Sequence, residues 1–349
     1  AVTDVLRSGT IAEGQRVKDF EAAFADHTGT SHAVAVNSGT AALHIALLSH
    51  NIGKGDEVIT TPFTFVATSN SVLFTGARPV FADIDEKTFN IDPERIIEKI
   101  TPRTKAIIPV HLYGQAADME KIIEIAKEHD LIIIEDACQA HGATYENRRV
   151  GSFGTGTFSF YPTKNMTTGE GGMITTNDQK IAERARMIRS HGSKVRYFHE
   201  MLGYNFRMTD IAAAIGLVQL KKLDEFNRAR FSNAKTLSRN LNKMTKFILP
   251  DIDKRCGHVF HQYTVRVKNS AISRDEALSF LGKKGIGTGI YYPLPIHKQP
   301  FYKEMGFNDS LPICEKAASE VFSLPVHPAI NKADLDAISK AMGELQSYT

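Results

Sequence analysis

Two side chains of this sequence could do chemistry together: the amine of Lys164 and the carboxyl of Asp136. Lys164 lies in Ser159-Phe-Tyr-Pro-Thr-Lys164-Asn-Met-Thr-Thr-Gly-Glu-Gly-Gly172, and Asp136 ends the apolar run Leu131-Ile-Ile-Ile134-Glu-Asp136. An ammonium and a carboxylate delivered from the ends of buried strands suit a pyridoxal phosphate enzyme. Such an enzyme needs a lysine to form a Schiff base with the aldehyde and an acid to keep the pyridine nitrogen protonated. A carboxylate beside a pyridinium favours the protonated ring, and the cation in turn lowers the acid's pKa by roughly 1–3 units. Taken singly, each residue has a plainer role, as a solvated lysine near a Gly-rich turn or a strand-end Asp capping the next segment.

Other residues fit the same chemistry. Asn37-Ser38-Gly39-Thr40-Ala41-Ala42 joins a strand to a helix, where free N–H groups and small residues make an anion site able to hold a phosphate. Without a ligand it is an ordinary turn with Ser38 or Thr40 as N-cap. Ser159 can offer its hydroxyl to the same phosphate, or simply alternate on a strand face. The glycines of Thr167-Thr-Gly169-Glu-Gly171-Gly172 let the backbone turn beside Lys164. Phe65 can stack on a flat ring or belong to the core. Competing motifs are absent: there is no Gly-x-x-x-x-Gly-Lys-Ser/Thr, no Gly-x-Ser-x-Gly, and Gly151-Ser-Phe-Gly154-Thr-Gly156 has the wrong spacing for a dinucleotide fingerprint. His258 and His261 form an i, i+3 pair with no third ligand at a familiar spacing, so they are structural or substrate-facing and no metal is expected.

The elements that must position these groups alternate along the chain. Val17, Phe20, Ala23 and Phe24 predict an amphipathic helix. Strands are predicted at Ala33 to Val36, Glu57 to Thr61, Pro79 to Asp83, Ala106 to Val110, Leu131 to Ile134, Thr155 to Phe160 and Gly172 to Thr176. Helices are predicted at Thr40 to Ser49, Met119 to His129 and Gln179 to Ser190. This alternation implies an α/β domain with a mostly parallel sheet, in which ligands sit beyond the carboxyl ends of the strands. A long helix is predicted from Asp210 to Arg230, with Thr209 as N-cap and a buried stripe of Ile211, Ile215 and Val218 that shifts to Leu223 at Lys222. A strand at Tyr263 to Val267 and helices at Arg274 to Lys284 and Asp334 to Leu345 follow. The pattern changes near residues 235–250, dividing the chain into a large domain over 1–240 and a smaller α+β domain over 241–349.

The totals narrow the classes. At 349 residues and 42% hydrophobic the chain can build one large core or two domains. The net charge of +3, with no dense Lys/Arg block, argues against a nucleic-acid surface. The three cysteines are far apart and odd in number, which fits a reducing compartment and no disulfide framework. No stretch of 18 apolar residues and no apolar signal core appear, so the expectation is a cytoplasmic protein without a membrane span.

In order, these pieces resemble the DegT/StrS-type (DegT/DnrJ/EryC/StrS) sugar aminotransferases, a branch of the fold-type-I pyridoxal phosphate enzymes. The resemblance rests on Asn37-Ser-Gly-Thr-Ala-Ala-Leu43, Glu135-Asp-Ala-Cys-Gln-Ala-His141, Ser159-Phe-Tyr-Pro-Thr-Lys-Asn165 and Gly203-Tyr-Asn-Phe-Arg-Met-Thr-Asp210. It runs from Ser8-Gly-Thr-Ile-Ala-Glu-Gly14 to Tyr291-Tyr-Pro-Leu-Pro-Ile-His297. It implies Lys164 as the lysine joined to the cofactor, Asp136 on the pyridine nitrogen, Gln139 near the ring oxygen, and Gly39, Thr40 and Ser159 at the phosphate. It also implies Phe65 on the ring face and Asn205 reaching the phosphate of a neighbouring subunit, hence a homodimer with shared active sites. The implied reaction is ping-pong transfer of an amine from an amino acid, glutamate by family resemblance, to a nucleotide-linked keto sugar by way of pyridoxamine phosphate. Some relatives carry His at the Schiff-base position and dehydrate instead; Lys164 argues for transamination here. The alternatives are a cofactor-binding regulator, for which no fused DNA-binding segment is visible, and a sugar dehydratase of the same family.

Overall fold

A computed structural model describes residues 1–268 and 272–347. Its centre is a seven-stranded sheet: β1 His32–Val36, β2 Glu57–Thr60, β3 Arg78–Phe81, β4 Thr104–Ile108, β5 Ile132–Asp136, β6 Thr155–Ser159 and β7 Gly172–Thr176. The spatial order is β1-β7-β6-β5-β4-β2-β3. Pairs β2–β3, β2–β4, β4–β5 and β5–β6 are parallel, whereas β7 runs antiparallel to both β6 and β1. The mostly parallel α/β layer expected from the alternation is what forms. Val34, Ala35, Val58, Ile59, Ile107, Ile134 and Phe158 are fully buried, as strands covered by helices on both faces require.

The predicted strands and helices agree with the observed ones to within a residue or two, except in the long helix. It spans Asp210–Leu241, eleven residues beyond the expected end, with Thr209 Oγ1 accepting the Ala212 N–H as its cap. Its buried face also differs. Val218 is exposed and Ile211 and Ile215 are only half-buried, while Ala213, Ala214, Gly216 and Leu223 are buried. The reason is close packing on the helix Gln15–Thr28: a Cβ at Gly216 would come within 2.7 Å of the Phe20 ring. The small residues, not the branched ones, face the neighbour because they leave room for its aromatic side chains.

The end of this helix supplies Ala234, Leu237 and Leu241 to a second core. That core is built on a three-stranded antiparallel sheet of β8 Phe247–Ile248, β9 Tyr263–Val267 and β10 Val321–Leu324, with the helices Arg274–Lys283 and Lys332–Ser347. A third cluster packs Ile296, Tyr302, Phe307 and Cys314 on Phe63, Phe81 and Val110. The C-terminal third of the chain therefore closes over the carboxyl ends of β2 and β4, next to the residues singled out above.

Candidate active site

A cavity of about 520 Å3 lies beyond the carboxyl ends of the parallel strands. Asp136 ends β5, Ser159 ends β6, and the helix Gly39–Ser49 begins just after β1. Lys164, Asp136, Gln139, Ser159, Gly39, Thr40 and Phe65 all line it. Residues 39 to 164 are thus gathered by sheet topology into one space.

The adjacent carboxylates of β5 show how the strand period sorts function. Successive side chains point to opposite faces. Glu135 turns away from the cavity and is wholly buried, accepting from Gly151 N at 2.7 Å, Phe153 N at 2.7 Å, Gly154 N at 2.9 Å and His111 Nε2 at 3.1 Å. His111 Nδ1 accepts the Ala117 N–H, so its proton is on Nε2 and points at Glu135. Glu135 is a structural anion that ties down the loop ahead of β6. Asp136 faces the cavity, 5% exposed, with Oδ2 accepting from Thr68 Oγ1 at 2.7 Å and Oδ1 from Cys138 N at 3.2 Å. Its carboxylate is held on two sides and free on the third.

At the other end of the cavity Ser38 caps the helix, its side chain accepting the Ala41 N–H at 3.1 Å. The first N–H groups of a helix have no intrahelical partner, so Gly39 and Thr40 present donors at the positive end of the helix dipole. A side chain at Gly39 cannot be accommodated: its Cβ would lie 2.6 Å from Ser159 Cβ and 3.2 Å from Cys138 Sγ. The glycine brings the helix start onto the end of β6, where the Ser159 hydroxyl joins the cradle.

Lys164 sits in a turn closed by its own N–H to Tyr161 O at 2.9 Å, and among the described residues its amine has no hydrogen-bond or ion-pair partner. Its charge is felt nearby. Burial first, and Lys164 second, hold His141 at a pKa of about 3. Burial, then Lys164 and Arg230, hold His261 well below its ordinary value. Cys138 is pushed well above its usual thiol value by burial and then by Asp136, so it is a protonated thiol and no nucleophile.

Gln139 is more engaged than the sequence suggested. Its Oε1 accepts the Tyr113 N–H at 2.9 Å and its Nε2 donates to Tyr292 Oη at 3.0 Å. Phe65 is 57% exposed at the cavity edge, its ring 6.3 Å from that of Tyr292. Asn205 is exposed and does not line the cavity of its own chain. Its backbone forms an isolated antiparallel bridge with Ser190, and Arg207, two residues on, forms another with Val36 of β1. Of the histidine pair, His258 is buried against Phe260, ring centroids 3.9 Å apart, and its Nδ1 accepts the Phe260 N–H. His261 lines the cavity. Among the described residues no group of three His, Cys, Asp or Glu is placed to hold a metal ion. No helix among them is long and apolar enough to cross a membrane.

Sequence reasoning missed Thr68 and Tyr292. Thr68 precedes Asp136 by 68 residues and only the β2–β4–β5 arrangement brings them together. Tyr292 lay within a recognised motif, but its contact with Gln139 depends on how the C-terminal third folds back.

Lys164, Asp136 and the Gly39–Thr40 helix start share one cavity at the carboxyl edge of an α/β sheet, an arrangement suited to a lysine-dependent group-transfer enzyme. Comparison with known proteins makes the class specific. The model of the DegT/DnrJ/EryC1/StrS aminotransferase family matches residues 1–343, and the chain belongs to that family. It is therefore a transaminase of fold type I. The chain is 47% identical over 351 residues to a pleiotropic regulatory protein of Geobacillus stearothermophilus, covering 99% of this chain and 93% of that one. It is 44% identical over 340 residues to a GDP-perosamine synthase of Caulobacter vibrioides, covering 95% and 90%. Among solved structures, DesV of S. venezuelae in complex with a ketimine intermediate superimposes with a TM-score of 0.96 at 40% identity, covering 100% of this chain and 94% of that one.

Proposed function

We propose that this transaminase moves an amine from glutamate to a nucleotide-linked keto-deoxy sugar, using pyridoxal phosphate held in the cavity at the carboxyl ends of β5 and β6. The observation that carries this is the joint placement of Lys164, Asp136 and the Gly39–Thr40 helix start around one cavity. The residues fit the cofactor. The free N–H groups and the Ser159 hydroxyl match a phosphate, the free side of Asp136 matches a pyridine nitrogen, and Phe65 offers an aromatic face. When bound, pyridoxal phosphate supplies an electron sink for the carbanion formed next to the transferred nitrogen.

The chain's own groups do the rest. In the first half of the cycle the Lys164 amine would carry the proton from the α-carbon of the amino donor to the C4′ carbon of the cofactor, and in the second half it would carry a proton from that carbon to the sugar carbon that receives the amine. Asp136, anchored by Thr68 and Cys138 N–H, keeps its charge facing the cavity. Gln139, fixed through Tyr113 and Tyr292, orients the ring oxygen side. The C-terminal third contributes His261, Gln262, Tyr291 and Tyr292 to the cavity wall around the exchanging amine.

The similarity to a GDP-perosamine synthase supports a nucleotide-sugar acceptor. We further propose a homodimer with shared sites, in which Asn205 serves the phosphate cradle of a second copy; its exposure outside its own cavity supports this. The test is to incubate purified protein with pyridoxal phosphate, glutamate and a panel of nucleotide-linked keto sugars, and to identify products by mass spectrometry. The expected result is an amino sugar together with 2-oxoglutarate, and none from Lys164→Ala. A wild-type protein that shows no visible absorbance with pyridoxal phosphate and yields no amino sugar overturns the proposal.

A further inference from the structure

The segment Val259–Gln262 is clamped more tightly than a loop needs. Val259 N donates to Gly114 O, Gln262 N donates to Tyr113 O, and Arg230 Nη1 donates to the carbonyls of Phe260 and His261 at 3.2 and 3.3 Å. Inside it Phe260, a bulky residue, holds φ at 44° in the left-handed region, a conformation that persists only where the surroundings over-determine it. What this fixes is the ring of His261, which is 6% exposed and borders the cavity.

The proton position on that ring follows from its neighbours. Asn165 Nδ2 donates to Val259 O at 3.1 Å and to Asn227 Oδ1 at 2.9 Å, which leaves Asn165 Oδ1 as the atom 3.2 Å from His261 Nδ1. An amide oxygen only accepts, so Nδ1 carries the hydrogen. Burial and the nearby cations of Lys164 and Arg230 keep the ring neutral. Nε2 is then a bare acceptor. It has no partner among the described residues, and unlike both nitrogens of His141 it is not an unpaired atom sealed from solvent.

The rest of the cavity wall tells what such an acceptor meets. Lys164 is its only Lys or Arg among the described residues, while Asp136 and Glu170 are its acids. A bare nitrogen repels a carboxylate oxygen and pairs with an O–H. Nε2 is thus suited to a hydroxyl-bearing molecule and not to a dicarboxylic amino donor. We propose that His261 is a specificity-determining residue whose Nε2 accepts a hydrogen bond from a hydroxyl of the amine-accepting sugar, fixed in place by the Asn165 amide and the Arg230 clamp. This rests on the sugar-acceptor reading above and deepens it.

The experiment compares wild type with His261→Asn, which can still donate to Asn165 Oδ1 but removes the acceptor at Nε2, and with His258→Asn as a structural control. Equilibrium binding of the amino-sugar nucleotide product, and of analogues each lacking one sugar hydroxyl, is measured by calorimetry on the cofactor-loaded and cofactor-free proteins. The glutamate half-reaction is followed separately by absorbance. The expected result is about tenfold weaker product binding in His261→Asn, the loss of one hydrogen bond, and no further loss with the analogue lacking the contacted hydroxyl. Wild type and His258→Asn should discriminate against that analogue by the same factor. The glutamate half-reaction should change little in His261→Asn. The inference is overturned if His261→Asn binds product and analogues as wild type does, or if its glutamate half-reaction falls as far as its product binding. A wild-type protein that binds no nucleotide-linked sugar refutes the sugar-acceptor reading itself, and this inference with it.

Discussion

Replacing Gly39 by alanine puts the phosphate cradle to a quantitative test. Gly39 is the first residue of its helix and its φ is not positive, so the backbone itself tolerates a side chain. Helix propensity alone favours alanine by at most about 1 kcal/mol, less in the first turn. Against this, the new methyl would lie 2.6 Å from Ser159 Cβ and 3.1 Å from Ser159 Oγ. Neither side can yield easily, because Ser159 is paired with Gly172 across β6 and β7, and a Cβ at Gly172 would in turn meet Ser38 O at 2.3 Å. Overpacking of this kind costs about 1–3 kcal/mol. The clash outweighs propensity, and Gly39→Ala should lose about 1–2 kcal/mol of stability. Because the helix start moves off Ser159, affinity for pyridoxal phosphate should fall about tenfold or more, each tenfold being about 1.4 kcal/mol. Gly343, inside the helix Lys332–Ser347, has nothing within 4 Å of its Cβ position. There the same substitution should stabilise by about 0.5–1 kcal/mol. Urea denaturation and pyridoxal phosphate titration of the two variants read both signs. If Gly39→Ala matches wild type in stability and affinity, the close-approach argument is wrong.

Three further outcomes are expected. Asp136→Asn keeps size but can accept through only one atom, so its amide must face either Thr68 Oγ1 or Cys138 N; cofactor binding should weaken by roughly 1.5–3 kcal/mol, the worth of a charge-assisted bond. Turnover should drop much further, and equal losses in a titration and a rate assay would mark Asp136 as merely structural. His141 and His258 are neutral when folded, with pKa values lowered to about 3 mainly by burial. Between the unfolded value of 6.5 and about 3 the unfolded chain binds protons that the folded chain refuses, so stability is lost as pH falls, by up to about 1.4 kcal/mol per pH unit for each. Denaturation midpoints should decline from pH 7 to pH 5, less steeply in His258→Asn; a flat profile contradicts the burial argument. Mixing Lys164→Ala chains with chains disrupted at Asn205 should restore about a quarter of wild-type sites if each site uses both subunits, since one site of a mixed dimer collects both defects and the other neither. Subunit exchange is verified by mass labelling, and exchange without recovered activity assigns Asn205 to its own subunit.

Local pattern carried most of what the sequence determined. The β-branched run placed β5 within two residues, because a strand buried on both faces reads as a continuous apolar segment whatever its neighbours; β6 and β7, richer in Thr and Gly, were placed as closely. The ends of those strands, with the motifs at Ser38, Asp136 and Lys164, pointed to the chemistry, since residues at carboxyl ends of parallel strands converge on one edge. The family resemblance proposed roles for Gln139 and Asn205, which spacing alone does not give. Tertiary structure decided what depends on a partner far along the chain. Which of Glu135 and Asp136 faces the cavity follows from strand register, and Thr68 reaches Asp136 only through strand order. The long helix buries Ala213 and Gly216, not Ile215 and Val218, because the crossing helix presents Phe20 to it and no local rule encodes that neighbour. His258 and His261 are three residues apart and alike in sequence. One stacks in the core and the other borders the cavity, a difference set by the clamp from Gly114, Asn165 and Arg230.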